Sequence, residues 1–443
     1  FMTQFNSENE MSDQVSMYFD TLGELEEKDQ EAIQNKYQHI LEHLDEIDQI
    51  LNEYSRGWKT TRMNRVDLTA LRLAVYEMKM DEEGFFYPFV NGNICIECGL
   101  CEKVCPILNP IPKHKFDVRA FAFQSKDERI RKDSSSGGAF TIIAEKIISE
   151  GGYVYGCKFD DDFNVIHDCA ENIEELSKFR GSKYVQSKLD NVFIEIKKKL
   201  DDKKIVLFSG TPCQVSGLKC YLRKQYDNLF LIDLVCHGIP SPGLWSMYVK
   251  YIKGSVKSRL TYVSFRNKRY GYAGSTMALG YENGKAEFSS RRAQFYKYLF
   301  FQDINSRPSC FCCHFKGVKR VSDFTIYDCW HMNQVESSWD DDKGTTWVLV
   351  QSEKGMKLFD RIKQNAKIKE TSVEKAIELD GQLALQSTIP NPLRTQFFRD
   401  AQQLEMNELI KRYFPLTLKK RITFFIKPLL YQLGLLDKLK RIM

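Results

Sequence analysis

The stretch KKIVLFSGTPCQ, residues 203–214, predicts the architecture of the main part of this 443-residue chain. A charged lead is followed by the apolar run 205–208 and then by a turn rich in Gly and Pro. NLFLIDLVCHGIPS, residues 228–241, repeats this plan, and helical stretches at 188–200 and 242–252 alternate with the apolar runs. This alternation predicts an α/β body with a largely parallel sheet.

A Ser/Gly turn opens the same body upstream. DSSSGGAFTIIAEKIISEGGYVYGCKFD, residues 133–160, predicts a turn, a helix, a Gly-Gly stop and a strand. Asp133 or Ser134 is expected to cap the helix. A turn of this kind at a helix start presents free N–H groups, which suit a phosphate.

Four cysteines of the body are candidate metal ligands. Cys213 and Cys236 follow two of the apolar runs, where ligands bind in parallel sheets. Cys310 and Cys313 form a C-x2-C pair farther on. A four-thiolate set suits either a [4Fe–4S] cluster or structural zinc, and both remain open at this point. The other cysteines are predicted to be small buried residues (Cys157, Cys169, Cys220) or are left undecided (Cys312, Cys329).

A second cysteine run lies before the body. CIECGLCEKVCP, residues 95–106, has the spacing C-x2-C-x2-C-x3-C-P that holds iron–sulfur clusters. In two-cluster ferredoxins the fourth cysteine of such a run binds the other cluster, yet no second run occurs in the sequence. Residues 81–107 resemble the second half of a two-cluster ferredoxin. The resemblance implies that one cluster is held by three cysteines and that a fourth would serve the missing cluster (Cys95, Cys98, Cys101; Cys105).

The first 82 residues follow a different pattern. Apolar residues at helical spacing predict two amphipathic helices, one before and one after the turn at Arg56-Gly57. YSRGWKTTRMNRVDLTALRLAVYEM, residues 54–78, resembles the C-terminal part of the antitermination factor NusB, an all-helical RNA-binding family. The match extends over residues 15–80 and rests on a set of shared positions (Trp58, Arg62, Arg65, Val66, Asp67, Leu71, Arg72, Leu73, Ala74, Tyr76, Glu77). The family's basic RNA-contacting arm has no counterpart here, so we expect no specific RNA binding.

The body resembles the β subunit family of coenzyme F-420 hydrogenases and dehydrogenases over residues 84–400. The ordered strings SSSGGAF, RGSKYVQS, SGTPCQ, VCHGIPS and SDFTIYDCW carry the resemblance. It implies an oxidoreductase with FAD and one or two [4Fe–4S] clusters. It implies cluster ligands (Cys213, Cys236, Cys310, Cys313) and flavin-contacting segments (Ser135, Ser136, Gly137, Gly138; Gly181, Ser182, Lys183, Tyr184).

One string departs from that family. Many relatives carry Gly-Asp-aromatic-Trp-Gly where this chain has Tyr327, Asp328, Cys329, Trp330 and His331. Filling both glycine positions is expected to alter the space near the site and hence the substrate. Many bacterial relatives are associated with polysaccharide biosynthesis, so the acceptor could be coenzyme F-420-like or related to that process. The sequence assigns no catalytic residue.

Charge is distributed unevenly along the chain. Residues 1–82 hold 8 basic and 18 acidic residues, a net charge of −10, whereas residues 411–443 hold 9 basic residues and one acidic residue, a net charge of +8. The basic tail interleaves apolar residues at helical spacing, which suits either contact with a membrane surface or docking on the body. No apolar run is long enough for a membrane span. Thirteen cysteines in metal-type spacings indicate a reducing compartment, so we expect a cytoplasmic location.

These observations predict four segments: a NusB-like helical fragment (1–82), a ferredoxin-type segment (83–115), a flavin and iron–sulfur domain (116–400) and a basic amphipathic tail (401–443). The leading hypothesis is a redox enzyme that exchanges electrons with a protein or small-molecule partner. RNA binding through the NusB-like part and a zinc-stabilised scaffold are the alternatives.

Overall fold

A computed structural model describes residues 34, 37–38, 40–55, 59–76, 83–88, 90, 95–288 and 290–435. These residues form two compact units. One unit comprises the described residues up to Gly99 together with Pro392–Gln402, and the other comprises Leu100–Asn391 and the residues from Gln403 onward. Two matched NusB positions, Trp58 and Glu77, lie outside the described residues.

The α-helices are α1 Leu44–Tyr54, α2 Arg65–Val75, α3 Leu100–Lys103, α4 Glu128–Asp133, α5 Ala139–Ser149, α6 Val192–Asp201, α7 Pro212–Leu222, α8 Pro242–Ser255, α9 Arg291–Phe301, α10 Glu353–Ile362, α11 Val373–Asp380, α12 Gln382–Leu385, α13 Arg394–Gln403, α14 Met406–Tyr413 and α15 Leu418–Gln432. The 3-10 helices are Thr60–Arg62, Glu175–Phe179, Pro308–Cys310, Met332–Gln334, Ser337–Trp339 and Lys363–Asn365. The strands are β1 Arg119–Ser125, β2 Tyr153–Phe159, β3 Val165–Ala170, β4 Val206–Ser209, β5 Leu229–Leu234, β6 Leu260–Asn267, β7 Thr276–Tyr281, β8 Ala286–Glu287, β9 Phe324–Asp328, β10 Thr346–Val350 and β11 Ala366–Thr371.

In the first unit, α1 and α2 pack against each other, as the apolar pattern predicts. Asn64 caps α2 by accepting a hydrogen bond from the Asp67 N–H at 2.9 Å. The buried Arg72 on α2 pairs with Asp48 on α1, with Nε 2.7 Å from Oδ1. Leu71 is exposed, however, although its spacing predicts a place on the apolar face. The buried residues of this small core are Ile40, Ile47, Leu51, Leu68 and Val75.

The second unit is built around an eight-stranded sheet in the order β11-β1-β10-β9-β5-β4-β2-β3. Four consecutive strands of this sheet, β9, β5, β4 and β2, run parallel. The outer pairs β2–β3, β9–β10, β10–β1 and β1–β11 are antiparallel. The predicted α/β class is therefore confirmed, with the parallel arrangement confined to these four strands.

Helices cover both faces of this sheet, so the central strands are buried on both sides. Alternate residues of β4 face opposite sides of the sheet. Leu207 packs in the hydrophobic cluster that includes residues of α5 and α10. Val206 and Phe208 face the cluster that holds α6 and α7. Burial on both faces explains why β4 is a continuous apolar run and not an alternating one.

A smaller three-stranded sheet, β6-β7-β8, lies within the second unit beside α8 and α9. Aromatic rings fill its contact with α8 and α9. The Trp245 ring lies 5.2 Å from the Phe265 ring and 4.8 Å from the Tyr296 ring, centroid to centroid. Among the described residues, no helix combines the length and the apolar character that crossing a membrane requires.

Candidate functional site

Cys213 and Cys236 lie at the carboxyl edge of neighbouring parallel strands, as the sequence predicts. β4 pairs with β5 in the register Ser209↔Ile232; Cys213 lies in the helix that follows β4, and Cys236 lies in the loop that follows β5. Cys213 lies in the first turn of α7, where Thr211 Oγ1 is 3.1 Å from its sulfur. A helix start favours the thiolate form of a cysteine.

Two loops that pair with each other connect the segment of the C-x2-C pair, Cys310 and Cys313, to the loop that follows β5. Pro240 and Ser306 form an antiparallel bridge. Arg307 N–H donates to the Ile239 carbonyl at 2.8 Å, and Ser241 N–H donates to the Asn305 carbonyl at 3.1 Å. This short ladder holds the loop after β5 against the loop that leads into Pro308–Cys310.

The four thiols influence one another electrostatically. Burial raises the pKa of the Cys236 thiol far above its ordinary value, and the charges of the other three raise it further. Burial also raises the pKa of Cys310 to about 11, with contributions from Cys213 and Cys313. Burial raises the pKa of Cys213, and Cys313 adds to that shift. The four predicted body cysteines therefore lie near enough to one another for each to take part in these electrostatic effects, and we call this set the thiol cluster (Cys213, Cys236, Cys310, Cys313).

Lys316 is a residue of this site that the sequence did not single out. Its Nζ donates to the carbonyls of Cys236 and Leu383, both at 2.7 Å. Burial lowers the pKa of Lys316, whereas the nearby Cys236 and Cys313 raise it. The lysine ties the thiol cluster to α12 and places a positive charge beside the thiols. Its place three residues after the C-x2-C pair was the only available signal.

The remaining cysteines of the body have separate surroundings. Cys329 is buried with its sulfur 3.9 Å from the Met332 sulfur, as in an apolar core. Cys312 is exposed. Cys220 is buried as predicted and lies close enough to Cys105 for that thiol to raise its pKa, after burial itself. Cys157 and Cys169 are only half-buried on β2 and β3.

The ferredoxin-type cysteines fall into both units. Cys95 and Cys98 belong to the first unit, and Cys98 is exposed. Cys101 and Cys105 belong to the second, with Cys101 on α3 and exposed.

A cavity of about 1120 Å³ lies between β6, the end of α4, the loop after β2 and the segment 177–183. Gly181, Ser182 and Lys183, three of the predicted flavin residues, line it. Eight basic side chains and three acidic ones contribute to its wall, so the cavity is positively charged (Lys132, Lys178, Arg180, Lys183, Arg259, Arg266, Lys268, Arg269; Asp133, Asp160, Asp161).

The Ser/Gly turn, residues 134–138, holds part of the cavity wall in place through hydrogen bonds. Ser135 Oγ accepts a hydrogen bond from the Ser182 N–H at 2.7 Å. Ser136 Oγ donates to the Thr345 carbonyl, and Gly137 N–H donates to Thr346 Oγ1 at 2.7 Å. A Cβ at Gly137 would lie 2.2 Å from the Phe123 carbonyl oxygen, so only glycine fits there. Gly138 precedes α5 with a positive φ of 91°.

Lys183 is held by backbone oxygens. Its Nζ donates to the carbonyls of Lys178 and Arg180 at 3.1 and 3.0 Å. Burial lowers the pKa of this lysine. Two of the three N–H groups of the Lys183 ammonium therefore hold the loop at Gly181 in place. The predicted role was a different one, a positive charge placed at a phosphate or beside a flavin ring.

Arg266 and Asp328 form a buried ion pair beside the cavity. Arg266 Nη1 lies 2.7 Å from Asp328 Oδ2, and Nη2 lies 3.1 Å from Oδ1. The same Nη1 donates to the predicted flavin residue Tyr184 at 3.3 Å. The guanidinium lies 4.5 Å above the Trp330 ring, which stacks on Tyr272. Asp328 and Trp330, the two residues shared with the family string, thus position Arg266.

Tyr327 and His331, which replace the two glycines of the family string Gly-Asp-aromatic-Trp-Gly, lie outside the cavity wall. The Tyr327 ring faces Trp347 in a core cluster. His331 Nδ1 lies 2.7 Å from Asp380 Oδ1, on α11. Neither residue is part of the cavity wall. The expectation that they fill space at the site is not supported by this geometry.

Aromatic stacking joins the thiol cluster to the cavity. His237, next to Cys236, lies 4.6 Å from the Phe300 ring, and Phe300 stacks on Tyr184 at 4.4 Å between centroids. His237 Nε2 is also 2.8 Å from Asp303 Oδ1. Tyr184 reaches the Arg266 guanidinium. The two candidate cofactor sites are therefore neighbours within one unit.

Comparison with known proteins matches these two parts of the chain to two families. Residues 203–376 match the C terminus of the coenzyme F420 hydrogenase/dehydrogenase, beta subunit. Residues 2–91 match the NusB family. Both predicted resemblances are confirmed. The first matched segment includes the whole thiol cluster, and it supports an oxidoreductase.

Several similar curated proteins are NusB proteins. The transcription antitermination protein NusB of Agathobacter rectalis is 37% identical over 83 residues, which are 19% of this chain and 63% of that protein. The protein of the same name from Lachnoclostridium phytofermentans is 41% identical over 83 residues, with the same two shares of 19% and 63%. The chain thus spans less than two thirds of these relatives. A chain of the xenon-derivatized F420-reducing [NiFe] hydrogenase complex from Methanosarcina barkeri is 14% identical with a TM-score of 0.41, covering 66% of this chain and 95% of that one.

Proposed function

We propose that the chain is an iron–sulfur flavoprotein oxidoreductase. It passes electrons between [4Fe–4S] clusters, FAD and a diffusible acceptor that is coenzyme F-420-like or related to polysaccharide biosynthesis. The observation that carries this proposal is the thiol cluster at the carboxyl edge of the parallel strands, next to a cationic cavity. The family match over residues 203–376 supports the same reaction class.

The donor set fits an iron–sulfur cluster better than a zinc ion. Zinc gathers its four thiolates within about 2.3 Å of a single atom. In the described part of the chain, no three His, Cys, Asp or Glu side chains converge closely enough to hold one metal ion. A [4Fe–4S] cluster binds each thiolate through a different iron, so its ligands stand farther apart. The match of residues 203–376 to the coenzyme F420 hydrogenase/dehydrogenase, beta subunit supports the cluster over zinc.

The cavity fits FAD by charge and by shape. Its volume of about 1120 Å³ is that of a large ligand site. Its excess of basic side chains suits a pyrophosphate. Gly181 has a φ of 81°, and a Cβ there would meet no atom within 4 Å, so the glycine leaves its part of the wall open.

The residues of the chain would bind and orient these cofactors. The four thiolates would hold the cluster, and Lys316 would balance part of their charge. Ser135 and Lys183 hold the Gly181 loop in place, and Asp328 fixes the direction of the Arg266 guanidinium. The cofactors, when bound, supply the one-electron and hydride chemistry.

Anaerobic reconstitution with iron, sulfide and FAD tests the proposal. We expect about four irons for each cluster that assembles, with one flavin per chain. A chain that binds zinc and neither iron nor flavin after reconstitution would contradict the proposal. The alanine variants of Cys95, Cys98 and Cys101 separate the contributions of the two cysteine sets, because iron that persists in them belongs to the thiol cluster.

A second candidate function, RNA binding through the N-terminal part, is favoured by the NusB family match alone. Its test is a gel shift with a boxA-type RNA at physiological salt. We expect no specific shift. A shift that a scrambled RNA does not compete away would establish this second function.

A further inference from the structure

The last described helix, α15, carries an outward-facing stripe of large apolar residues. Phe425 is 77% exposed and Leu418 is 74% exposed, which is unusual for side chains of this size. At about 100° per residue the members of the stripe fall within an arc of about 100°. We call this surface the apolar stripe (Leu418, Ile422, Phe425, Ile426, Leu429, Leu433), and all its members are exposed.

The opposite side of α15 packs on the second unit and so fixes the orientation of the stripe. The Phe424 ring lies 6.3 Å from the Phe414 ring, and Lys420 Nζ lies 4.2 Å from the centroid of Phe414. Near the other end, Tyr431 meets Tyr270 edge-on at 5.3 Å, and Lys427 Nζ lies 4.9 Å from the Tyr270 ring. The helix is therefore attached by one face, and the apolar stripe lies on the face turned to solvent.

The charge of this helix is positive throughout. Residues 418–432 contain four basic residues and no acidic residue. Arg421 is exposed and lies beside the apolar stripe on the helix surface. Lys420 and Lys427 lie on the docked face, so Arg421 is the described cation at the edge of the apolar stripe. An apolar stripe with a cation at its edge, on a helix without acidic residues, matches the surface of an anionic bilayer, where apolar side chains enter the acyl boundary and cations meet the headgroups.

A second copy of the chain is a poorer occupant. Two apolar stripes placed face to face would bring together two helices that each carry four basic residues and no acidic one, and like charges at close range oppose association. An apolar stripe without cations would suit such a dimer better. A bilayer needs no complementary protein surface, and the helix lies along it without crossing it.

We propose that α15 docks the chain on anionic lipid surfaces through the apolar stripe. The docking is peripheral and depends both on the apolar side chains and on the charge of the lipid. An enzyme held in this way would meet acceptors that are themselves lipid-bound or that gather at the membrane.

The test is sedimentation of the full chain with phosphatidylcholine vesicles, with and without phosphatidylglycerol. The stripe variant is Phe425→Ser with Leu429→Ser, which removes exposed side chains only. The matched control is Ile389→Ser, because Ile389 is 81% exposed and lies outside α15. Circular dichroism and the oligomeric state by analytical ultracentrifugation are recorded for each variant.

We expect binding to the anionic vesicles, weak binding to pure phosphatidylcholine, and a decrease as salt is added. The stripe variant should bind the vesicles at least about tenfold more weakly, because it lacks two large apolar side chains whose transfer from water into the bilayer would stabilise binding. The control variant should bind like the original chain. Arg421→Gln should weaken binding and lower its salt dependence. Absence of binding to anionic vesicles, or equal binding by the stripe variant, would overturn the proposal. A dimer that dissociates in the stripe variant, without vesicle binding, would assign the surface to a second copy instead.

Discussion

The Cys213 thiol raises the pKa of the Cys236 thiol, and the two residues follow neighbouring strands of the parallel sheet. Burial is the larger cause of that shift. Thiols that are costly to ionise without a positive partner become stable thiolates when iron or another cation neutralises them. The same cluster that opposes ionisation in the free protein is therefore suited to bind a cationic iron–sulfur core.

The first prediction concerns iron content. Cys236→Ala should lower the iron bound after anaerobic reconstitution by about four per chain, because the cluster loses a ligand. Cys169→Ala is the matched control, since Cys169 lies on β3 and takes no part in the thiol cluster. Colorimetric iron and sulfide assays measure both. Equal iron in the two variants would exclude Cys236 as a ligand.

The second prediction concerns the wall of the cavity. Gly181→Val should weaken FAD binding at least about tenfold, because the new side chain projects from the loop and strains a positive φ. Gly284→Val is the control, since Gly284 also has a positive φ with no atom within 4 Å of a Cβ but lies in the turn before β8. Titration with FAD, followed by flavin fluorescence, measures both affinities.

Both glycine variants should lose a similar amount of stability, about 1–2 kcal/mol, from backbone strain. The difference between them in FAD affinity therefore reports contact with the ligand and not loss of the fold. If Gly284→Val weakens FAD binding as much as Gly181→Val does, the cavity is not the flavin site.

The third prediction concerns the Arg266–Asp328 pair. Arg266→Ala should lower the free energy of unfolding by about 3 kcal/mol, because it leaves the Asp328 charge half-buried without its cation. Arg259→Ala, which breaks the exposed pair with Glu282 just before β6, should cost less than about 1 kcal/mol. Urea unfolding followed by tryptophan fluorescence gives both values. Similar costs would mean that the buried pair is no stronger than the exposed one.

Much of the fold could be predicted because its signals are local. The apolar runs of β4 and β5 indicate strands buried on both faces, and Pro212 and Pro242 begin the helices that come next along the chain. The antiparallel flanks were harder, since β10 is an apolar run like the parallel strands and only its long-range pairing with β1 and β9 sets its direction.

The candidate site, too, could be predicted only where its signals are local in the sequence. Spacing predicted the four body cysteines as ligands, but it could not show the Pro240–Ser306 bridge, which pairs the loop after Cys236 with the segment before Cys310. Arg266 was missed because its importance arises from burial against Asp328, which is far away in sequence. Lys183 was predicted from a motif, and its hydrogen bonds to two carbonyls became visible only in the folded chain.

The last prediction concerns Asp233, a carboxyl group in the centre of the sheet. Its Oδ1 accepts a hydrogen bond from Thr325 Oγ1 at 2.6 Å. Burial raises the pKa of Asp233 to about 6, although the Arg320 charge acts in the opposite direction. In the unfolded chain its pKa is near the ordinary value of about 3.9. Between these two values the folded protein keeps a proton that the unfolded chain has released.

Raising the pH from about 4 to about 6 should therefore destabilise the fold through this group by up to about 3 kcal/mol, a loss that stays constant above that range. Asp233→Asn removes the titration and keeps an oxygen that can accept from Thr325. Urea unfolding at a series of pH values gives the unfolding free energy of the original chain and of this variant. The difference between the two should change by up to about 3 kcal/mol between about pH 4 and about pH 6. The exposed Asp227→Asn variant should run parallel to the original chain. A parallel course for Asp233→Asn as well would show that Asp233 does not retain its proton in the folded protein.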